Sequence, residues 1–128
     1  MSMILIVEDD PFIHEYMEII IQDIGHETLS ARDMDGALSH LRAPRQIDLL
    51  VTDIYLKKAC SGGIELAHQA IKLRPKLPVL YTTGNAVTDE LKALFVEDAR
   101  YLRKPYTLRQ LQDSIEELLT TKSRSRAN

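Results

Sequence analysis

The stretch Met3-Ile4-Leu5-Ile6-Val7-Glu8-Asp9-Asp10-Pro11 decides how the chain is read. Five apolar residues in a row, rich in branched side chains, fit a strand buried on both faces, as in a parallel sheet covered by helices. The run stops at three acids. Asp10 before Pro11 is an N-cap followed by a first-turn proline, so a helix starts there. Ile13, Met17, Ile20 and Ile24 then recur at helical spacing, Tyr16 and Ile21 widen the stripe, and Gly25 closes the helix.

Outward from this unit the same alternation repeats. Glu27 to Ala31 reads as a short strand and Asp33 to Leu41 as a helix with Ala37, Leu38 and Leu41 inside, ended by Pro44. Ile47 to Thr52 is a second strongly apolar strand, ending at Asp53. A loop, Tyr55 to Gly63, leads to a helix carrying Ile64, Ala67, Ala70 and Ile71. Pro78 to Thr82 is the next strand, ending at Thr83-Gly84. A helix from Val87 to Glu97 is expected to bury Leu91, Leu94 and Phe95. Arg100 to Arg103 is a last short strand, ending at Lys104-Pro105. Thr107 caps a final helix with Leu108, Leu111, Ile115 and Leu118 on one face. Five βα units predict an α/β fold, a doubly wound open parallel sheet with helices on both faces.

Composition sets the outer limits. The chain has 128 residues, a formal net charge of −3, 45% hydrophobic and 27% charged residues, which is the size and balance of one folded domain. An acidic balance argues against a nucleic-acid or anionic-membrane surface. The lone Cys60 makes no internal disulfide, and no apolar run is long enough for a signal peptide or a membrane span. A protein of a reducing, cytoplasmic compartment is expected. Residues 1–121 form the domain and 122–128 read as a polar, frayed tail. The four histidines, His14, His26, His40 and His68, have no metal-ligand spacing and are expected on the surface.

In a doubly wound sheet, sites form beyond the carboxyl ends of the strands. Those positions hold Glu8, Asp9 and Asp10, then Asp53, Thr83 and Lys104. Carboxylates gathered in one place repel and raise each other's pKa unless protons or a cation intervene. An all-oxygen ligand set suits a hard divalent ion such as Mg²⁺. A carboxylate beside a metal, an ammonium and a hydroxyl is equipment for phosphoryl transfer onto aspartate. Asp10 is better read as the helix cap than as a ligand. Taken singly, Thr83 reads equally as a turn hydroxyl and Lys104 as an exposed lysine before a proline; the set together outweighs these readings.

Four strings, Ile4 to Pro11, Asp48 to Asp53, Pro78 to Gly84 and Tyr101 to Tyr106, lie in order at strand ends. With them the chain, from Met3 to Leu119, resembles the CheY-like receiver domain of two-component response regulators. That resemblance implies a flavodoxin-like five-stranded sheet in the order 2-1-3-4-5. It implies that Asp53 is the phosphoacceptor, that Asp9 binds Mg²⁺ directly and Glu8 mostly through water, and that the Tyr55 backbone carbonyl completes the metal shell. Thr83 and Lys104 would each engage a phosphoryl oxygen, and Tyr101 matches the aromatic that turns inward with the threonine. Lys104-Pro105 would be a cis bond. The implied phosphate donor is a sensor histidine kinase or a histidine phosphotransfer protein, and the output an unidentified protein target of a stand-alone monomer or weak dimer. The family promotes its own phosphorylation without being an enzyme in the usual sense.

Two features depart from the family pattern. Lys57-Lys58-Ala59-Cys60-Ser61-Gly62-Gly63 lacks the usual proline and is longer by one or two residues. Tyr55, a bulky ring two residues past Asp53, is expected to shield the in-line path of water, whereas Asn85, two past Thr83, would orient it. The competing readings are a phosphate-independent binding module of the same fold, an aspartate-nucleophile phosphatase and a flavodoxin-like redox protein. The phosphatase would need a second acid two residues after Asp53, where Tyr55 stands. The redox protein would need a hydroxyl- and glycine-rich loop in place of Glu8-Asp9-Asp10, which repels phosphate.

Overall fold

A computed structural model of the chain describes residues 2–56 and 62–127, with side chains up to Thr120. Lys57 to Ser61, which carry Cys60, the lysine pair and most of the unusual loop, lie outside the described residues. The elements alternate without exception: β1 (Met3–Val7), α1 (Pro11–Asp23), β2 (Glu27–Ala31), α2 (Met34–Arg42), β3 (Leu49–Asp53), α3 (Gly62–Leu73), β4 (Val79–Thr83), α4 (Asp89–Lys92), β5 (Arg100–Arg103) and α5 (Leu108–Ala127). All pairings are parallel and the sheet order is β2-β1-β3-β4-β5. This is the doubly wound, flavodoxin-like architecture expected from the sequence.

The aliphatic strands split their side chains between two cores, as period-two alternation requires. Ile4, Ile6, Leu49, Val51 and Leu80 pack under α1 and α5 with Met17, Ile21, Leu111 and Ile115. Leu5, Val7, Leu50, Val79 and Tyr81 face α2 and α3 with Leu38, Ile64, Leu66 and Ala67. Each fully buried side chain of this kind is worth about 1.5–3 kcal/mol, so both faces of the central strands hold the sheet.

The helix caps follow the sequence signals. Asp10 accepts from the Phe12 and Ile13 amides at 2.9 and 3.2 Å, and Asp33 accepts from Gly36 at 2.8 Å. Gly25 ends α1 with φ +99°, a conformation that favours glycine. The Lys104–Pro105 peptide is cis.

Several expectations need correction. The helix expected over Val87–Glu97 is a single turn, Asp89–Lys92, with no buried residue. Thr88 captures the Leu91 amide at 3.1 Å and so starts the helix late. The Phe95 ring then stacks on Tyr81 with centroids 4.4 Å apart, and Val96 is buried instead of Leu94, which is 53% exposed. Packing of Phe95 and Val96 on the sheet draws the chain off the helical path. Tyr16 and Leu108, placed on inner stripes by spacing, are exposed, and Phe12 and Ile19 join Tyr16 on the outer side of α1. His14, expected at the surface, is 6% exposed. The helix α5 continues to Ala127, through residues 122–127 that read as a separate polar tail; no glycine or proline there stops it.

Candidate functional site

The three carboxylates expected at the rim do converge. Glu8 follows β1, Asp53 ends β3, and Asp9 stands beside them; one ligand oxygen from each lies within 4.8 Å of the others. Lys104, just past β5, reaches over β4 and places its Nζ 3.0 Å from Glu8 Oε1 and 3.2 Å from Asp53 Oδ2. Sheet order makes this reach necessary, because β4 lies between β5 and β3.

Local hydrogen bonds fix each carboxylate. Glu8 Oε2 accepts from the Asp10 amide at 3.0 Å. The Tyr55 amide donates to Asp53 Oδ1 at 3.3 Å. The backbone is held on both sides at Ile54, the residue after Asp53: the Ile54 amide donates to Thr82 O at 2.9 Å, and the Gly63 amide donates to Ile54 O at 3.0 Å.

Thr83 is wholly buried; its Oγ1 accepts from the Asn85 amide at 3.0 Å, and its carbonyl accepts from the Lys104 amide at 2.7 Å. The hydroxyl proton of Thr83 is therefore not used in that turn. Tyr101, on β5, is 37% exposed, edge-on to Phe95 at 6.0 Å and beneath Lys92 Nζ at 5.4 Å. Tyr55 is half-buried against the α3-side core, and Asn85 is exposed.

The electrostatics show a shortage of positive charge. Burial raises the pKa of Glu8 and of Asp53 above the ordinary carboxylate range, and Lys104 offsets this only in part. Burial works against the Lys104 ammonium too, but its hydrogen bond to Glu8 and the charges of Asp53 and Glu8 outweigh that and hold its pKa above the usual lysine value. One ammonium thus serves two buried carboxylates with a third nearby. The donor set is oxygen only, and it fits a hard divalent cation such as magnesium.

The sequence reading missed one neighbour of the site. His14 lies against the site, its Nδ1 3.1 Å from the Glu8 carbonyl oxygen, which fixes the ring proton on Nδ1. Its place at helix position four after the cap gave a weak hint.

The family model of the response regulator receiver domain matches residues 4–116. This chain is a receiver domain. Among curated relatives, it is 32% identical over 119 residues to NtrX, a nitrogen assimilation regulatory protein of Azorhizobium caulinodans, an alignment covering 92% of this chain and 26% of NtrX. It is 31% identical over 120 residues to the receiver protein CpdR of Brucella abortus, covering 93% of this chain and 98% of CpdR. The receiver thus spans about a quarter of the one relative and nearly all of the other. Among solved structures, a CheY-like receiver domain protein from Methanospirillum hungatei superposes with a TM-score of 0.86 at 28% identity, covering 98% of each chain. Among the described residues of this receiver, no helix is long and apolar enough to cross a membrane.

Proposed function

We propose that this receiver accepts a phosphoryl group on Asp53 from the phosphohistidine of a sensor histidine kinase or histidine phosphotransfer protein. The observation that carries the reading is the Asp53 carboxylate held 3.2 Å from Lys104 Nζ within an acidic triad. An Asp53 oxygen attacks phosphorus, the P–N bond breaks, and its electron pair returns to the imidazole nitrogen of the donor, which takes up a proton. Lys104 pairs with one phosphoryl oxygen and the Thr83 hydroxyl donates to another. Glu8, Asp9, Asp53 and the Tyr55 carbonyl would hold a magnesium ion, which supplies neutralisation of the negative charge gathered during transfer.

The aspartyl phosphate then biases a two-state equilibrium, in which Thr83 moves toward the phosphate and Tyr101 turns in. Action through a cytoplasmic protein target, by a single-domain regulator that is a monomer or weak dimer, completes the proposal; the CpdR alignment, which covers 98% of that receiver protein, supports its single-domain part alone. The test is Asp53→Asn. The variant should fold with the parent's circular dichroism and accept no phosphate from phosphohistidine; acceptance at the parent rate overturns the assignment. A phosphate-independent binding module would bind its partner equally with and without the beryllofluoride phosphate mimic.

A further inference from the structure

Thr82 stands in a place where an apolar side chain would satisfy the packing. It is 1% exposed, and its Oγ1 is one of two buried side-chain polar atoms without a hydrogen-bond partner among the described residues. Its strand register is the important point. Thr82 is paired with Asp53 on one side and Leu102 on the other. Residues in register on neighbouring parallel strands point to the same face of the sheet. Leu49, Val51 and Leu80 belong to the core under α1 and α5, with Leu102 packed against it. Alternation therefore puts Asp53 and Thr82 on that same face. The Lys104 side chain must cross β4 on its way to Asp53 Oδ2 and Glu8 Oε1, and Thr82 is the β4 residue level with Asp53.

A buried hydroxyl with no partner destabilises the state that contains it. Here the hydroxyl belongs to the residue in register with Asp53 on the strand that Lys104 spans, and that ammonium has three donors, two of them on carboxylates. Phosphorylation converts the Asp53 carboxylate into an acyl phosphate. The negative charge moves from Oδ2 to the phosphoryl oxygens, and Lys104 follows it. We propose that Thr82 is a positioning residue for Lys104: its Oγ1, idle in the free receiver, accepts a hydrogen bond from the ammonium once Asp53 is phosphorylated. The threonine hydroxyl is then unsatisfied in one state and satisfied in the other, so it adds to the preference for the phosphorylated form. This rests on the assignment of Asp53 as acceptor.

The test compares Thr82→Val, which keeps the shape and removes the hydroxyl, with Thr82→Ser, which keeps the hydroxyl. Thermal unfolding of the full chain is measured with magnesium, in the presence and absence of beryllofluoride, and beryllofluoride affinity is titrated. Thr82→Val should melt above the parent in the free state and lose that advantage with beryllofluoride bound, with affinity reduced several-fold. Thr82→Ser should bind beryllofluoride as the parent does. The same offset in Tm in both states, with unchanged affinity, overturns the proposal and leaves Thr82 a packing residue. If the parent itself binds no beryllofluoride, the acceptor assignment fails instead.

Discussion

The carbonyl oxygen of Asp53 lies so close to Gly63 that a Cβ added there would stand 1.9 Å from it, and 3.0 Å from the Ile54 Cα. Real atoms do not approach that closely, so the first turn of α3 rests on the Asp53–Ile54 peptide only because residue 63 lacks a side chain. Any other residue must push α3 away or tilt the Asp53–Ile54 peptide, and the Asp53 carboxylate moves with it. Gly63→Ala is expected to lower the phosphorylation rate at least tenfold and to weaken magnesium binding. A matched helix control, Ala67→Gly, loses stability without either effect. Rates with a small phosphodonor and calorimetric magnesium titration of both variants check this.

Removing the lysine should separate metal binding from phosphorylation. Lys104 competes with a divalent ion for Glu8 and Asp53, so Lys104→Met is expected to bind magnesium more tightly, by several-fold, while accepting phosphate at least tenfold more slowly. Without metal the variant loses about 1–3 kcal/mol, because two buried carboxylates lose their charged partner. Denaturant titrations with and without magnesium measure this loss and its recovery.

The pH dependence follows from the direction of the carboxylate shifts. Burial raises Glu8 and Asp53 above their ordinary values of 4.5 and 3.8. A carboxyl with a raised folded-state pKa binds its proton more tightly folded than unfolded. Its ionised form therefore weakens the metal-free fold at neutral pH, and that penalty fades as pH falls toward the raised values. Magnesium competes with those protons. Its affinity should fall on acidification, beginning above the ordinary carboxylate range, with protons released on binding. Calorimetry in buffers of different ionisation enthalpy counts them, and a pH-independent affinity would contradict the burial argument.

Tyr55 is tied to Asp53 through its amide, and the residue is half-buried against the α3-side core. Tyr55→Ala removes the ring and keeps the amide. Hydrolysis of the aspartyl phosphate should run a few-fold faster; a rate equal to the parent's shows that the ring does not shield the phosphorus.

Much of this arrangement was legible in the residue order. Continuous aliphatic runs such as Ile4 to Val7 and Leu49 to Val51 mark strands buried on both faces. A polar residue closing such a run, whether Glu8, Asp53, Thr83 or Lys104, is carried to the rim by the topology alone. The segment after Thr83 was not legible in this way. Leu91, Leu94 and Phe95 have helical spacing, but the stacking of Phe95 on Tyr81 and the burial of Val96 are contacts between distant parts of the chain, and they override a short local period. The burial of His14 and the idle hydroxyl of Thr82 depend on strand register and on the position of α1, which spacing along one element does not encode.

The single turn of α4 sets where motion is concentrated. The backbone just past Asp53 is pinned at Ile54 to β4 and to Gly63 of α3, whereas α4 carries no buried side chain. Local opening requires little free energy where few apolar contacts must be broken. Amide protons from Asn85 to Lys92 should thus exchange with solvent orders of magnitude faster than those of β3, and a charge newly placed on Asp53 has a soft neighbour on one flank and a rigid one on the other.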